Sequence, residues 1–448
     1  MTVKSVRRLA VACAVCAASV AALATPGAAS AFTLAPCHGE SIDGFGSSLQ
    51  SIAQKEVWTP EFNVSSVGCP GGPTVTYKSG SSGEALESWG VGGGSANFSS
   101  TNAFTATDQP TNTAQAEEIE KNATGGISVG KGTLRTIPVL QAAVAIIVHL
   151  PGTCTATSTA APGRLALSSK TLEKIYQGTA VNWSKIFKSS EGGDEFKNCT
   201  KKELKLDPVV RVARAEGSGT TATFKKYLHL VTKGAVESGK DWEQLAEEVP
   251  NTLWPNESDK VERGVKGSGI VAKVAEVPGS VGYVNLAEAR VTAFEPPAGG
   301  ENTKFFWVEL ENNKSAKTYA DPSTDFEVVK KAQANCKETT YTNGKKKFPP
   351  PHTSEDWNEV TSSTTEKNYT LCGFTYDQAF THYGDYPGTS EKEARTVFDY
   401  MNYVLNEGPE GGQAELSKEH DYLALPTNAI ESQNVLNIAQ KGAAEVGE

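Results

Sequence analysis

Val210-Arg211-Val212-Ala213-Arg214-Ala215-Glu216-Gly217-Ser218-Gly219-Thr220-Thr221 is the segment from which the architecture can be read. The apolar run Val209 to Ala213 has the length of a buried strand and closes at Arg214. Beyond the glycines, Phe224, Tyr227, Leu228 and Val231 follow Thr220 at helical spacing and make one apolar stripe. Strand, glycine-rich turn and helix in succession bring backbone close to a ligand at the C-terminal edge of a parallel sheet. The turn also presents free N–H groups and small hydroxyls at a helix N-terminus, where unpaired donors and the positive end of the dipole favour an anion.

The same device occurs twice more. Gly46-Ser47-Ser48 precedes Leu49, Ile52, Ala53 and Val57, and Gly80-Ser81-Ser82-Gly83 precedes the shorter stripe of Ala85, Leu86 and Trp89. Three such turns, with Arg214 beside one of them, imply a protein that surrounds a small oxyanion, because the guanidinium offers a fixed fork of donors to a tetrahedral anion. Gly93-Gly94-Ser95 and Gly267-Ser268-Gly269 are read as decoys. Gly125 to Lys131 fails as a nucleotide-binding loop, since Gly132 stands where Ser or Thr is required. Ala215 likewise spoils a nucleophile elbow around Ser218. The six histidines, at 38, 149, 229, 352, 382 and 420, are scattered and form neither a metal cluster nor a nucleophile–base pair, so no enzyme, metal or cofactor is expected.

Lys4, Arg7 and Arg8 precede an uncharged apolar stretch, Leu9 to Leu23, and Ala29-Ser30-Ala31 supplies a cleavage site, so residues 1–31 read as an export signal. No later run is long and apolar enough for a transmembrane helix, and Cys37 stands too far along, after Pro36, for a lipoprotein anchor. A secreted, extracytoplasmic protein of the cell envelope or periplasm is expected. Without the leader, 39 basic residues face 52 acidic ones, a formal net charge of −13. Such a chain does not coat nucleic acid or anionic lipid, so anion binding must be local. Six cysteines remain, at 37, 69, 154, 199, 336 and 372. An even number in an exported chain implies disulfides in any of fifteen connectivities, and neighbouring positions favour Cys37–Cys69, Cys154–Cys199 and Cys336–Cys372.

Strand and helix alternate along the chain, which makes it α/β. Val139 to Val148 is a long apolar run, and Leu172, Ile175 and Tyr176 mark a helix closing at Gly178. Val281 to Val284 is a strand, and Ser390 with Glu393 forms a capping box before the stripe of Ala394, Val397, Phe398, Met401 and Leu405, which stops at Gly408-Pro409. From Glu295 to about Pro387, rich in Lys, Asn, Thr and Pro, little periodicity is visible, and an elaboration of long loops is expected there.

With these motifs in hand, Arg214 to Thr220 resembles the R-x-D-G-S-G-T loop of PstS-like phosphate-binding proteins, the extracytoplasmic receptors of phosphate ABC transporters. Asp43 to Leu49, Tyr77 to Gly83, Phe104 to Asp108, Thr171 to Gly178, Pro278 to Val284 and Tyr422 to Pro426 are similar to further segments of that family, in the family's order. The resemblance implies a two-lobed periplasmic-binding-protein-like fold with a ligand cleft between the lobes and two crossovers, near Val139–Val148 and Val281–Asn285. It implies lobe 1 from 32–140 and 286–448, with the loop-rich elaboration at about 295–387, and lobe 2 from 141–285. Phosphate would be held by Ser48, the Leu49 backbone, Ser81 and Asp108 from lobe 1 and by Arg214, Ser218, Gly219 and Thr220 from lobe 2. Ser47, Ser82, Glu216 and Gly217 would support them, Glu216 replacing the family's Asp. Asp108 would accept a hydrogen bond from the P–OH of phosphate and repel sulfate, which has no proton to donate. A membrane permease as partner, a monomeric state and the absence of catalysis complete the implied picture. A secreted phosphatase, or a receptor for another tetrahedral oxyanion, is the competing reading.

Overall fold

The computed structural model describes residues 32–447 apart from several segments, the longest being 124–132, 157–164, 187–195, 198–207, 295–303, 324–338, 342–347, 351–356, 363–368 and 384–389. Residues 1–31, read above as an export signal, Cys199 and Cys336 lie outside the described residues. Eight strands form the continuous path of the principal sheet: β1 (Ile42–Gly46), β2 (Val75–Ser79), β3 (Phe104–Thr107), β4 (Leu134–His149), β5 (Val210–Arg214), β6 (Val261–Gly264), β7 (Ser280–Asn285) and β8 (Cys372–Phe380). Their order is β2-β1-β3-β8-β4-β7-β5-β6. β1 runs parallel to β2 and β3, and β5 runs parallel to β6 and β7.

β4 joins the two parallel groups. Its first part, Leu134 to Ala143, pairs antiparallel with β8, and its last part, Val144 to His149, pairs antiparallel with β7. The apolar run that reads as one element is thus one sixteen-residue strand serving both halves of the sheet. Apart from half-buried Arg135, every residue of it is buried, which is why its sequence is continuous rather than alternating. β7 ends at Asn285, whose side chain accepts from Ala287 N (3.1 Å) and starts the helix Leu286–Val291.

The local signals act as their chemistry requires. Ser390 and Glu393 make both hydrogen bonds of a capping box at the start of the helix Glu391–Val404. That helix ends at Val404, before the expected stop at Gly408-Pro409. Gly178 takes φ +78° after the helix Ser169–Tyr176, a conformation that costs glycine least. The helical stripe after Ser48 forms, but Ala53–Trp58 is wound as a π-helix, with Gln54 turned inward to Gln50 and Asp377.

The expectation of loops throughout 295–387 needs correction. β8 lies in this stretch, buried in the middle of the sheet between β3 and β4, and Phe305–Trp307 pairs with the outer part of β4. Periodicity conceals β8 because its polar residues are buried too: Thr375, Asp377 and Gln378 find partners inside, so no apolar alternation marks the strand. Cys37 and Cys69 are bridged, as their neighbourhood in sequence favours, and Cys154 and Cys372 are also disulfide-bonded. Among the described residues no helix is long and apolar enough to cross a membrane.

Candidate functional site

Five loops leave the C-terminal ends of β1, β2, β3, β5 and β6, the two parallel groups of the sheet, and meet one another. Their contacts are direct. Gly83 N donates to Gly217 O (3.2 Å) and Thr220 Oγ1 donates to Asp108 Oδ2 (3.3 Å), and from the connection that precedes β6 Asn251 Nδ2 donates to Gln109 Oε1 (3.2 Å). Gly219 has room only for hydrogen, since a methyl group there would sit 2.5 Å from Ser82 Oγ and 2.6 Å from both Asp108 Cβ and Gln109 N.

Each loop is fixed by its own backbone chemistry. After β1, the Ser47 hydroxyl donates to Asp108 Oδ1 and accepts from Leu49 N (3.0 Å), while Tyr77 donates to Ser47 O (2.7 Å). Leu49 O accepts from Tyr422 (2.6 Å) and from Asn285 Nδ2, so the end of β7 holds the loop after β1. Ser48 is half-buried in that loop. After β2, Ser81 caps the helix Ser82–Ser88 by accepting from Glu84 N (3.1 Å), and the Ser82 hydroxyl accepts from Asp108 N (3.0 Å). After β5, Ser218 caps the helix Gly219–Val231 by accepting from Thr221 N (3.3 Å).

Arg214 is almost wholly buried at the end of β5. Its Nε donates to Glu216 Oε1 (2.6 Å) and its Nη2 to the same oxygen, so the longer acid still orients the guanidinium. Gly267-Ser268-Gly269, read as a decoy, lies in the first turn of the helix Lys266–Glu276, and Lys266 N donates to Glu216 Oε1 (2.9 Å). The anion nearest that helix end is therefore the protein's own carboxylate. Asp108 is buried, which raises its pKa above the ordinary carboxylate value; the Ser47 hydroxyl, the Arg214 charge and the Thr375 and Thr220 hydroxyls oppose that rise. The structure thus brings Ser47, Leu49, Ser82, Asp108, Arg214, Glu216, Gly217, Gly219 and Thr220 into contact with one another or with a shared neighbour, while Ser81 and Ser218 cap the two helices that begin there.

Residues absent from the sequence reading complete the site. Asn251 accepts from Ser218 N (2.9 Å) and donates to Ser218 O (2.9 Å), so one amide grips both sides of that residue. Its loop has little regular structure but is heavily stapled. Lys225 Nζ donates to Leu245 O, Asn251 O and Leu253 O at 3.2, 2.8 and 2.7 Å, Arg263 donates to Thr252 O (3.0 Å), and Arg211 donates to Pro255 O (2.6 Å). Burial pushes the Lys225 ammonium down to about 7. Behind the loop, Tyr176, Phe224, Trp254 and Tyr283 pack as one aromatic cluster, and Tyr283 donates to or accepts from Thr221 (2.7 Å) while accepting from Arg214 N.

Comparison with known proteins bears on the family and the fold. A family model described as a PBP superfamily domain matches residues 34–341. The phosphate-binding protein PstS of Methanocaldococcus jannaschii is 27% identical over 214 residues, 46% of each chain. That of Haemophilus influenzae is 21% identical over 277 residues, 60% of this chain and 64% of its own. The matched region thus spans about half to two thirds of the length of these relatives. Among solved structures, a phosphate-binding protein from Stenotrophomonas maltophilia superposes with a TM-score of 0.58 at 16% identity, over 90% of this chain and 93% of its own. A high-affinity periplasmic phosphate-binding protein bound with phosphate superposes with a TM-score of 0.56 at 15% identity, over 91% of this chain and 99% of its own. At these identities the superpositions establish the shared two-lobed fold.

Proposed function

We propose that this chain, which belongs to the PBP superfamily, is an extracytoplasmic receptor that binds inorganic phosphate without chemical change and passes it to an ABC permease. The observation that carries the proposal is the meeting of loops from two parallel strand groups around Arg214 and Asp108, a guanidinium fork and a buried carboxylate among small hydroxyls. The names of the relatives, all phosphate-binding proteins, support the same ligand.

In this reading residues 32–140 and 286–448 make one lobe and 141–285 the other, with the chain crossing along β4 and again at Asn285. Ser48, Leu49, Ser81 and Asp108 meet phosphate from the first lobe; Arg214, Ser218, Gly219 and Thr220 meet it from the second. The Ser81 and Ser218 turns supply N–H donors, Arg214 supplies two more, and Asp108 accepts a hydrogen bond from the hydroxyl that phosphate carries at neutral pH. The receptor works as a monomer outside the cytoplasmic membrane.

Titration calorimetry with inorganic phosphate tests the reading. Binding is expected for the native protein, and Arg214→Ala should weaken it at least a hundredfold, the order of about 3 kcal/mol for a charge-assisted fork. Absence of heat up to millimolar phosphate would refute the receptor.

A further inference from the structure

Lys266 occupies an unusual position. Its φ is +60°, in the left-handed region that glycine tolerates and lysine does not favour. Glycines stand close by at 264, 267 and 269, yet the left-handed residue itself is a lysine. Its two ends have separate tasks. The backbone N–H donates to Glu216 Oε1 (2.9 Å), the same oxygen that receives Nε and Nη2 of Arg214. The side chain reaches the other way, and Nζ donates to Ser79 O (2.6 Å) at the end of β2, one residue before the Gly80-Ser81-Ser82 turn.

We propose that Lys266 is a latch: its side chain ties the β2 turn to the Arg214 loop, and its strained backbone holds Glu216 where Glu216 aligns the guanidinium. It is a positioning residue, and for the ligand this inference rests on the phosphate reading above. The physical case is that one residue fixes both partners at once. If the β2 turn withdraws, the Nζ loses its carbonyl, and the ammonium pulls on the residue whose N–H steadies Glu216. Closure of the loops and alignment of Arg214 are therefore one event. A side chain without a donor could not make the tie, and a glycine would adopt the backbone without it.

Lys266→Gly and Lys266→Arg separate these roles. Glycine removes the strain as well as the tie, so the variant should melt no lower than the native protein. Its affinity for inorganic phosphate should nonetheless fall on the order of tenfold, through faster dissociation with little change in association. Arginine, which retains a cationic donor, should recover most of that loss. Hydrogen exchange supplies a readout that needs no ligand: the amides of Gly80 to Gly83 should exchange faster in Lys266→Gly than in the native chain. Unchanged exchange there, or phosphate affinity within twofold of the native value, overturns the latch. If the native protein binds no phosphate, the receptor reading fails and the exchange comparison still decides the latch.

Discussion

Replacing Gly219 by alanine should separate binding from folding. The added methyl group would lie 2.5 Å from Ser82 Oγ, where ordinary contact begins at 3.4 Å, so the two loops must part by about 0.9 Å. The obstruction on the other side is Asp108 Cβ and the Gln109 backbone, which are not the free ends of flexible chains. Within the helix itself the change is harmless, because Gly219 has no left-handed φ and alanine is the better helix former. Parting the loops by that amount stretches three hydrogen bonds, Gly83–Gly217, Thr220–Asp108 and Asn251–Gln109, from 3.2 to 3.3 Å to beyond bonding range. At about 1 kcal/mol each, the loss is roughly 3 kcal/mol, or on the order of a hundredfold in phosphate affinity. Titration calorimetry reads the affinity and a thermal melt without phosphate reads the fold, which should hold within a few degrees. Affinity within threefold of native would mean that the loops need not meet this closely, and the reasoning would be wrong.

Two further outcomes follow from the buried carboxylates. Asp108→Asn should raise sulfate affinity and narrow the preference for phosphate, since an amide can turn its N–H₂ to an unprotonated oxyanion; competition calorimetry reads this. Because burial raises the pKa of Asp108, lowering the pH should move the native protein in the same direction as the carboxyl gains a proton. Asp377, buried on β8 with Gln54 donating to it, is pushed up to about 7. Between the ordinary value of 3.8 and about 7 the folded state holds more protons than the unfolded one, so this group's contribution to stability declines as pH rises through that window. Asp377→Asn should remove the slope, about 1.4 kcal/mol per pH unit at most, and should stabilise the protein more at pH 8 than at pH 5 in denaturant titrations.

What could be read in the sequence was what short-range chemistry encodes. The capping box of Ser390 and Glu393, the turn at Gly178 and the strand–turn–helix around Arg214 all depend on residues a few positions apart, and each forms where its signal lies. β8 was hidden because burial on both faces erases alternation. Asn251 and Lys266 were hidden for a different reason. Their contacts with Gln109 and Ser79 span 142 and 187 residues of chain, and no local pattern announces a side chain whose partners are supplied by the topology. The π-winding of Ala53–Trp58 belongs to the same class, since Gln54 faces Asp377 more than three hundred residues away.

If the site binds phosphate as proposed, its hydroxyl protons explain how an acidic protein would select one anion. Ser47 and Thr220 each have a single proton to donate, and both direct it to Asp108. A ligand that brings its own O–H can take over the bond to that carboxylate, which frees the two hydroxyls to donate to the remaining ligand oxygens. Phosphate at neutral pH carries such a proton. Sulfate does not, so recruiting the Ser47 or Thr220 hydroxyl would withdraw it from a buried carboxylate that receives nothing in return, and a buried charge that loses its partners costs more than the new bond returns. Arg214 does not offset the difference, because the N–H groups it has left beyond the two on Glu216 serve either anion alike. On the proposed reading, discrimination would arise from counting donors around Asp108, and the negative charge of the whole chain would not enter the count.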